Sequence, residues 1–171
     1  METLASRTAQ AKAALRLAAP RIVLAMAQTG LALVVLRVQR DGVGVTYSTR
    51  LVSTGWFADR VLNSAGTAYI AANKRGTWGQ FRAAQGLPGV QVNLTYTGAT
   101  IRSLTPTAGS SNGPVSTAVL VASNAESAKV LAYTLLRYPG WLDPNAAEQA
   151  QVAAVGKVEL DKVINQFLGP K

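Results

Sequence analysis

Histidine and cysteine are both missing from this sequence. Without them neither a Ser-His-Asp nor a Cys-His catalytic arrangement can be built. The commonest transition-metal ligands are gone too, and no disulfide can form. Carboxylates are scarce: Glu2, Asp41, Asp59, Glu126, Asp143, Glu148, Glu159 and Asp161 are all there are. Glu159 and Asp161 stand two apart on a helical pattern, so they do not share a face. Nothing in the spacing of the others points to a glycosidase-like pair. Gly42-Val43-Gly44 lacks the third glycine of a dinucleotide fingerprint, and no Walker-type phosphate loop occurs. The sequence therefore assigns no catalytic, cofactor-binding or metal-binding residue. It reads as a non-enzyme without a cofactor.

Charge is also low. Charged residues make up 15% of the chain, against roughly 25% in an average soluble protein, while 49% is apolar. A chain of 171 residues buries about 70% of its unfolded surface and needs no staple. Low charge density points instead to a surface covered by neighbouring subunits. The net charge of +9 is uneven. Residues 1–102 hold twelve Lys/Arg and three Asp/Glu, and residues 103–171 hold five of each. Such asymmetry favours an anionic partner: nucleic acid, an acidic protein face or a membrane surface. A plain solubility charge accounts for it as well.

No secretory leader is read at residues 1–19. The one membrane candidate is 22–36, which is 15 residues long and flanked by Arg21 and Arg37. A spanning helix needs about 20 apolar residues, so a buried or interface helix is expected there and no membrane partner.

The pattern predicts an α+β fold: long N-terminal helices, a small antiparallel sheet and a C-terminal amphipathic helix. It is read as one domain, 1–171, with a helical N-terminal arm at 1–40, a long loop at 41–58 and an α+β core at 59–171. Within the arm, a helix over 3–19 is followed by a second that Pro20 opens as its first residue. That second helix is apolar on almost every face between Ile22 and Val38, which calls for burial. A helix is expected from about Asp59 to Asn73, with Val61, Leu62, Tyr69 and Ile70 inward. One or two helical turns follow over 77–86. Val90 to Tyr96 alternates briefly. Gly109 to Gly113 reads as a hairpin connection, and Pro114 to Ser123 is the best strand by β-branched content. Ser123-Asn124 caps a helix over 125–136. Asp143 before Pro144 reads as the N-cap of the last helix. Its stripe is Val152, Val155, Val158, Val163, Ile164, Phe167 and Leu168, and Gly169-Pro170 closes it.

Two groups of residues are candidates for contact. Residues 73–82 read NKRGTWGQFR, with Lys74, Arg75 and Arg82 around Trp78 and Phe81. Cations with aromatics can hold single-stranded nucleic acid by phosphate contact and base stacking. The plainer alternative packs Trp78 and Phe81 inward and leaves the cations in solvent. Arg7, Lys12, Arg16 and Arg21 likewise form either a DNA-facing run or the solvated face of an Ala-rich helix. In the long loop, Tyr47, Arg50, Trp56 and Phe57 are candidate subunit contacts, because loops of this length are usually functional or disordered. Core anchoring is the alternative for Trp56 and Phe57.

One stretch resembles a known family. Gly86-Leu87-Pro88, Val92-Asn93-Leu94-Thr95-Tyr96-Thr97-Gly98 and Ile101-Arg102-Ser103-Leu104 resemble a pattern of small tailed-bacteriophage assembly proteins. These are the tail-completion, head–tail connector, neck and minor tail proteins. There a Leu-x-x-Thr-Gly precedes an apolar residue and Ser-Leu or Ser-Ile, then a β-hairpin, an Ala-rich helix and an Arg-Pro-Phe-Leu-like turn that starts the final helix. Here the order is hairpin 104–123, helix 125–136 and turn 137–143, so the resemblance covers about 60–168. The turn departs from the pattern, with Tyr138 inserted before Pro139 and Trp141 in the aromatic place. The resemblance implies a virion protein that forms a homo-oligomeric ring, six-fold, joined to connector, portal-side or tail-tube neighbours. It would be assembled in the host cytoplasm. Arg7, Lys12, Arg16, Lys74, Arg75 and Arg82 would then be candidates to face DNA in the channel. The alternatives are a basic nucleic-acid-binding module and a membrane-associated protein acting through 22–36.

Overall fold

A computed structural model describes residues 3–94, 98–109 and 115–168. It has the expected α+β class: a long N-terminal helix, two small antiparallel two-stranded sheets and a C-terminal helix. The chain forms two compact units, Met1–Leu36 with Ala99–Lys171 and Arg37–Gly98.

The first unit is organised by two helices. α1 runs unbroken from Leu4 to Asp41, with Pro20 inside it. The expected pair of N-terminal helices is thus one. Pro20 has no N–H to give the Arg16 carbonyl, a defect that usually breaks or kinks a helix. Here α1 is supported on both sides of Pro20 by α6, Ala146–Leu168. Arg7 Nε donates to the Phe167 carbonyl at 2.7 Å, and Arg21 lies 3.9 Å from the Glu159 carboxylate. Further along, Met26 covers Gly156 and Val152 reaches Gly30. The contact positions rise on α1 as they fall on α6, so the two helices are antiparallel.

α6 begins differently from expectation. Asp143 is not its cap. Asn145 Oδ1 accepts the Glu148 N–H at 2.9 Å, and Glu148 Oε2 accepts the Asn145 N–H at 2.8 Å. This is a reciprocal capping box, and it buries Glu148. Pro144 therefore lies ahead of the cap, outside the helix.

A short helix α4 (Ala99–Arg102) leads into β3 (Leu104–Ala108), which pairs with β4 (Ala118–Ala122) in antiparallel register. Leu104 is buried opposite Ala122, while Thr105 and Thr107 sit exposed opposite Val121 and Val119. The expected connection at 109–113 lies outside the described residues beyond Gly109, as does the Gly169-Pro170 stop. α5 (Ala125–Arg137) starts where Asn124 was read as a cap, its Oδ1 accepting the Ser127 N–H at 2.8 Å.

The second unit is built on aromatic packing. After α1, Gly42 and Gly44 take positive φ of 76° and 79°. The chain then pairs with 90–92: Val43 N–H to Val92 O, Tyr47 N–H to Val90 O, and Val92 N–H to Val45 O, each within 2.9 Å. The short alternation read near Val90 is thus an irregular ladder against the loop, and Thr95 to Thr97 lie outside the described residues. β1 (Val52–Ser53) pairs with β2 (Arg75–Gly76). A 3-10 turn, Thr54–Arg60, follows β1. α2 spans Ser64–Ala72 and α3 spans Trp78–Ala84.

The helix expected from Asp59 starts only at Ser64, because Asn63 is its cap and accepts the Gly66 N–H at 3.1 Å. Leu62, expected inward, lies outside that helix and is exposed. Its N–H is held by Gln85 Oε1 at 2.6 Å. α3 is closed at its start by a Thr77–Gln80 capping box.

Candidate interaction surfaces

Trp78 and Phe81 sit at one end and one face of α3, three residues apart, and both turn inward. Phe81 is fully buried and stacks on Phe57 with ring centroids 4.7 Å apart and planes at 15°. Trp78 packs at 5.5 Å from each of the two phenylalanines, and Tyr69 joins from α2 at 5.9 Å. The inward alternative is therefore the observed one for both residues. Phe57, expected among the subunit contacts, belongs to this core at 5% exposure. Its neighbour Trp56 goes the other way and is 75% exposed. Adjacent residues of a 3-10 turn point about 120° apart, so one side chain enters the core and the next leaves it.

Arg82, expected among the DNA-facing cations, is wholly buried. It follows Phe81 on the inner side of α3. Its Nε donates to the Pro88 carbonyl at 2.9 Å and its Nη2 to Asn93 Oδ1 at 2.8 Å. Tyr47, another candidate contact, is half-buried under this guanidinium. A planar fork of donors satisfies separate acceptors at once, so Arg82 fastens α3 to the segments carrying Pro88, Asn93 and Tyr47.

The remaining candidates are on the surface. Arg50, Lys74 and Arg75 are exposed on the second unit, and Lys12 and Arg16 on the first. Arg7 is half-buried against the end of α6. Arg60 was not singled out from the sequence. It closes the 3-10 turn beside Trp56, and its Nη1 donates to the Trp56 carbonyl at 3.0 Å. No sequence signal marked it, because the expected helix from Asp59 would have turned it elsewhere.

Apolar exposure is the other feature that sequence reading did not locate. On α1, Leu17 is 85% exposed, and most residues of the apolar stretch 22–38 are half-buried or exposed. By length and composition this helix is able to cross a membrane. On α5, Ser127, Leu131 and Thr134 face the unit. Tyr133 and Leu136 lie on the opposite side, Leu136 at 85% exposure. Val119 and Val121 add an outward apolar face to β4. A groove of about 320 Å³ in the first unit is lined by Met26, Leu31, Leu120, Leu142 and Val152 among others.

Two ion pairs lie at the surface. Arg40 binds Asp41 in a two-point pair at 2.7 Å, which holds the Asp41 carboxyl below its ordinary pKa. Glu159 is likewise lowered, first by the Lys162 hydrogen bond and further by Arg21. Among the described residues no group of acids could hold a metal ion. Compared with family models, curated proteins and solved structures, the chain shows no match.

Proposed function

We propose that this chain is a structural subunit of a tailed-phage virion, a ring-forming head–tail connector or tail-completion protein joining capsid to tail. The observation that carries the reading is the apolar surface left on a folded chain of low charge. Leu17, Trp56, Tyr133 and Leu136 project from α1, the 3-10 turn and α5. On each of these elements such side chains are available for contact with other proteins. A closed ring built from one chain uses heterologous contacts, with different patches meeting across each interface. The first unit carries both a groove and projecting apolar side chains. The family-like stretch also has a structural part to play: Val92, Asn93, Ile101, Ser103 and Leu104 are all buried. The exposed Lys12, Arg16, Lys74 and Arg75 are suited to a channel that holds a polyphosphate.

The test is the solution mass of the purified chain, alone and with candidate portal-side or tail-tube proteins, followed by electron microscopy. Rings of fixed stoichiometry are expected. A monodisperse monomer that engages none of these partners counts against the reading.

A second reading, membrane association through residues 22–36, is favoured by the length and apolarity of α1. Flotation with anionic vesicles separates the two, since a virion subunit stays with the soluble fraction.

A further inference from the structure

We propose that the second unit carries a binding face for single-stranded nucleic acid, centred on Trp56. The inference is independent of the connector reading. Trp56 is the most exposed aromatic side chain among the described residues. It stands at the rim of an apolar cleft of about 180 Å³, whose other walls are Phe57, Arg60 and Trp78. Phe57 and Trp78 are fixed from behind by Phe81, so the floor of the cleft is preorganised. Sites for whole small molecules run from about 300 Å³ upward. A cleft below that range suits a single planar ring.

Arg60 lines the cleft, and two further cations stand at the strand that pairs with the chain just before the turn. β2 brings Lys74 and Arg75 against β1, which runs directly into the Trp56 turn. The Thr54 N–H reaches the Lys74 carbonyl at 3.2 Å, and Arg75 pairs with Ser53 in the register. Arg75 Nη2 also donates to the Leu51 carbonyl at 3.3 Å. Arg60 is tethered to the Trp56 carbonyl itself. Residues 37–98 hold seven Lys/Arg against two carboxylates, a net charge of +5. Of those two, Asp41 is taken up by Arg40, and Asp59 lies on the turn.

The two halves of this face select one class of ligand. Exposed cations that outnumber the single acid of the turn, Asp59, call for a polyanion. An indole at the mouth of an apolar cleft calls for planar rings. Single-stranded nucleic acid supplies both, with phosphates on the cations and a base against Trp56. In a duplex the base faces are already covered, and a lipid surface offers no planar rings. The proposed face differs from the 73–82 cluster read from the sequence. Lys74 and Arg75 belong to the face, Phe81 and Arg82 do not, and Trp56 with Arg60 take their place.

The test uses the full chain with fluorescein-labelled oligo-dT and oligo-dA, a duplex of the same length, and inorganic polyphosphate as competitor. Anisotropy is read at several salt concentrations, and solution mass is followed in parallel. The single strands should bind more tightly than the duplex. Trp56→Ala should weaken single-strand binding about tenfold, and Trp56→Phe should restore most of it. The double variant Lys74→Ala, Arg75→Ala should reduce the salt slope by roughly 0.7 per lysine or arginine lost. Because Trp56 is exposed, its variants keep the fold, which circular dichroism checks. Failure to bind at low salt overturns the proposal. So does equal affinity for duplex, single strand and polyphosphate that is indifferent to Trp56→Ala. If Trp56→Ala abolishes ring assembly and leaves oligonucleotide affinity intact, Trp56 is a protein contact; the proposal fails and the connector reading survives.

Discussion

The guanidinium of Arg82 lies over the ring of Tyr47, 5.0 Å from its centroid, inside the second unit. A buried cation is tolerable only when its donors are satisfied. Here Pro88 O and Asn93 Oδ1 accept from it and the tyrosine face covers it. Arg82→Ala removes these contacts and leaves a cavity. The expected loss is roughly 2–4 kcal/mol in urea unfolding. Tyr47→Leu, which removes the cation–π contact, should cost about 1 kcal/mol. An Arg82→Ala protein within 0.5 kcal/mol of the parent would mean that the arginine does not organise this unit.

Two glycines meet their neighbours in physically different ways, and this gives a paired prediction. A Cβ on Gly79 would strike the Gly89 carbonyl oxygen, which is backbone. A Cβ on Gly156 would come within 2.7 Å of Met26 Sδ. A methionine side chain can swing aside, and alanine in a helix gains about 1 kcal/mol over glycine. Gly156→Ala should therefore change stability by less than about 1 kcal/mol. Gly79→Ala should lose roughly 1–3 kcal/mol, because overpacking against backbone has no easy relief. Thermal melts of the two variants side by side decide it. Equal shifts would show that the Gly79–Gly89 approach does not constrain the fold.

How far the sequence revealed this arrangement depends on the range of the forces involved. The start of α5 was legible because Asn124 acts on a residue three positions away. The inward turn of Trp78 and Phe81 was one of two open readings, since apolar spacing on a helical turn is a local signal. Pro20 was misread because the preference for proline in a first helical turn is also local. What carries α1 through it is support from α6, more than a hundred residues away. Arg82 was misread for a similar reason. Its charge predicts a solvated position, and only the folded chain brings Pro88, Asn93 and Tyr47 around it. The opposite fates of Trp56 and Phe57 depend on a 3-10 turn that composition does not announce.

The start of α6 tests a distinction that sequence alone got wrong. Asn145 and Glu148 cap each other's N–H groups, while Asp143 stands two residues earlier. Asn145→Ala should lower stability by about 1 kcal/mol, and Asn145→Asp should retain most of the capping. Glu148→Gln should be mild, because the amide oxygen still accepts from Asn145. Urea midpoints with unchanged slopes are the readout. An Asn145→Ala midpoint equal to that of the parent would remove the capping box as the reason α6 begins at Ala146.

The apolar side chains on the outside yield a prediction that separates assembly from folding. Leu17 on α1 and Leu136 on α5 each have most of their surface in water. Replacing an exposed leucine removes little from the core, so Leu17→Glu and Leu136→Glu should each shift unfolding by no more than about 0.5 kcal/mol. If these positions lie inside subunit interfaces, a buried unpaired carboxylate there is costly. Each variant should then run at monomer mass under conditions where the parent forms its larger species. A conservative Leu136→Met change should leave assembly intact, because it keeps the apolar surface. Light scattering behind gel filtration measures the mass, and circular dichroism confirms the fold. If both glutamate variants assemble like the parent, neither leucine belongs to an interface, and the contact surface must be sought at β4 or in the groove beneath it.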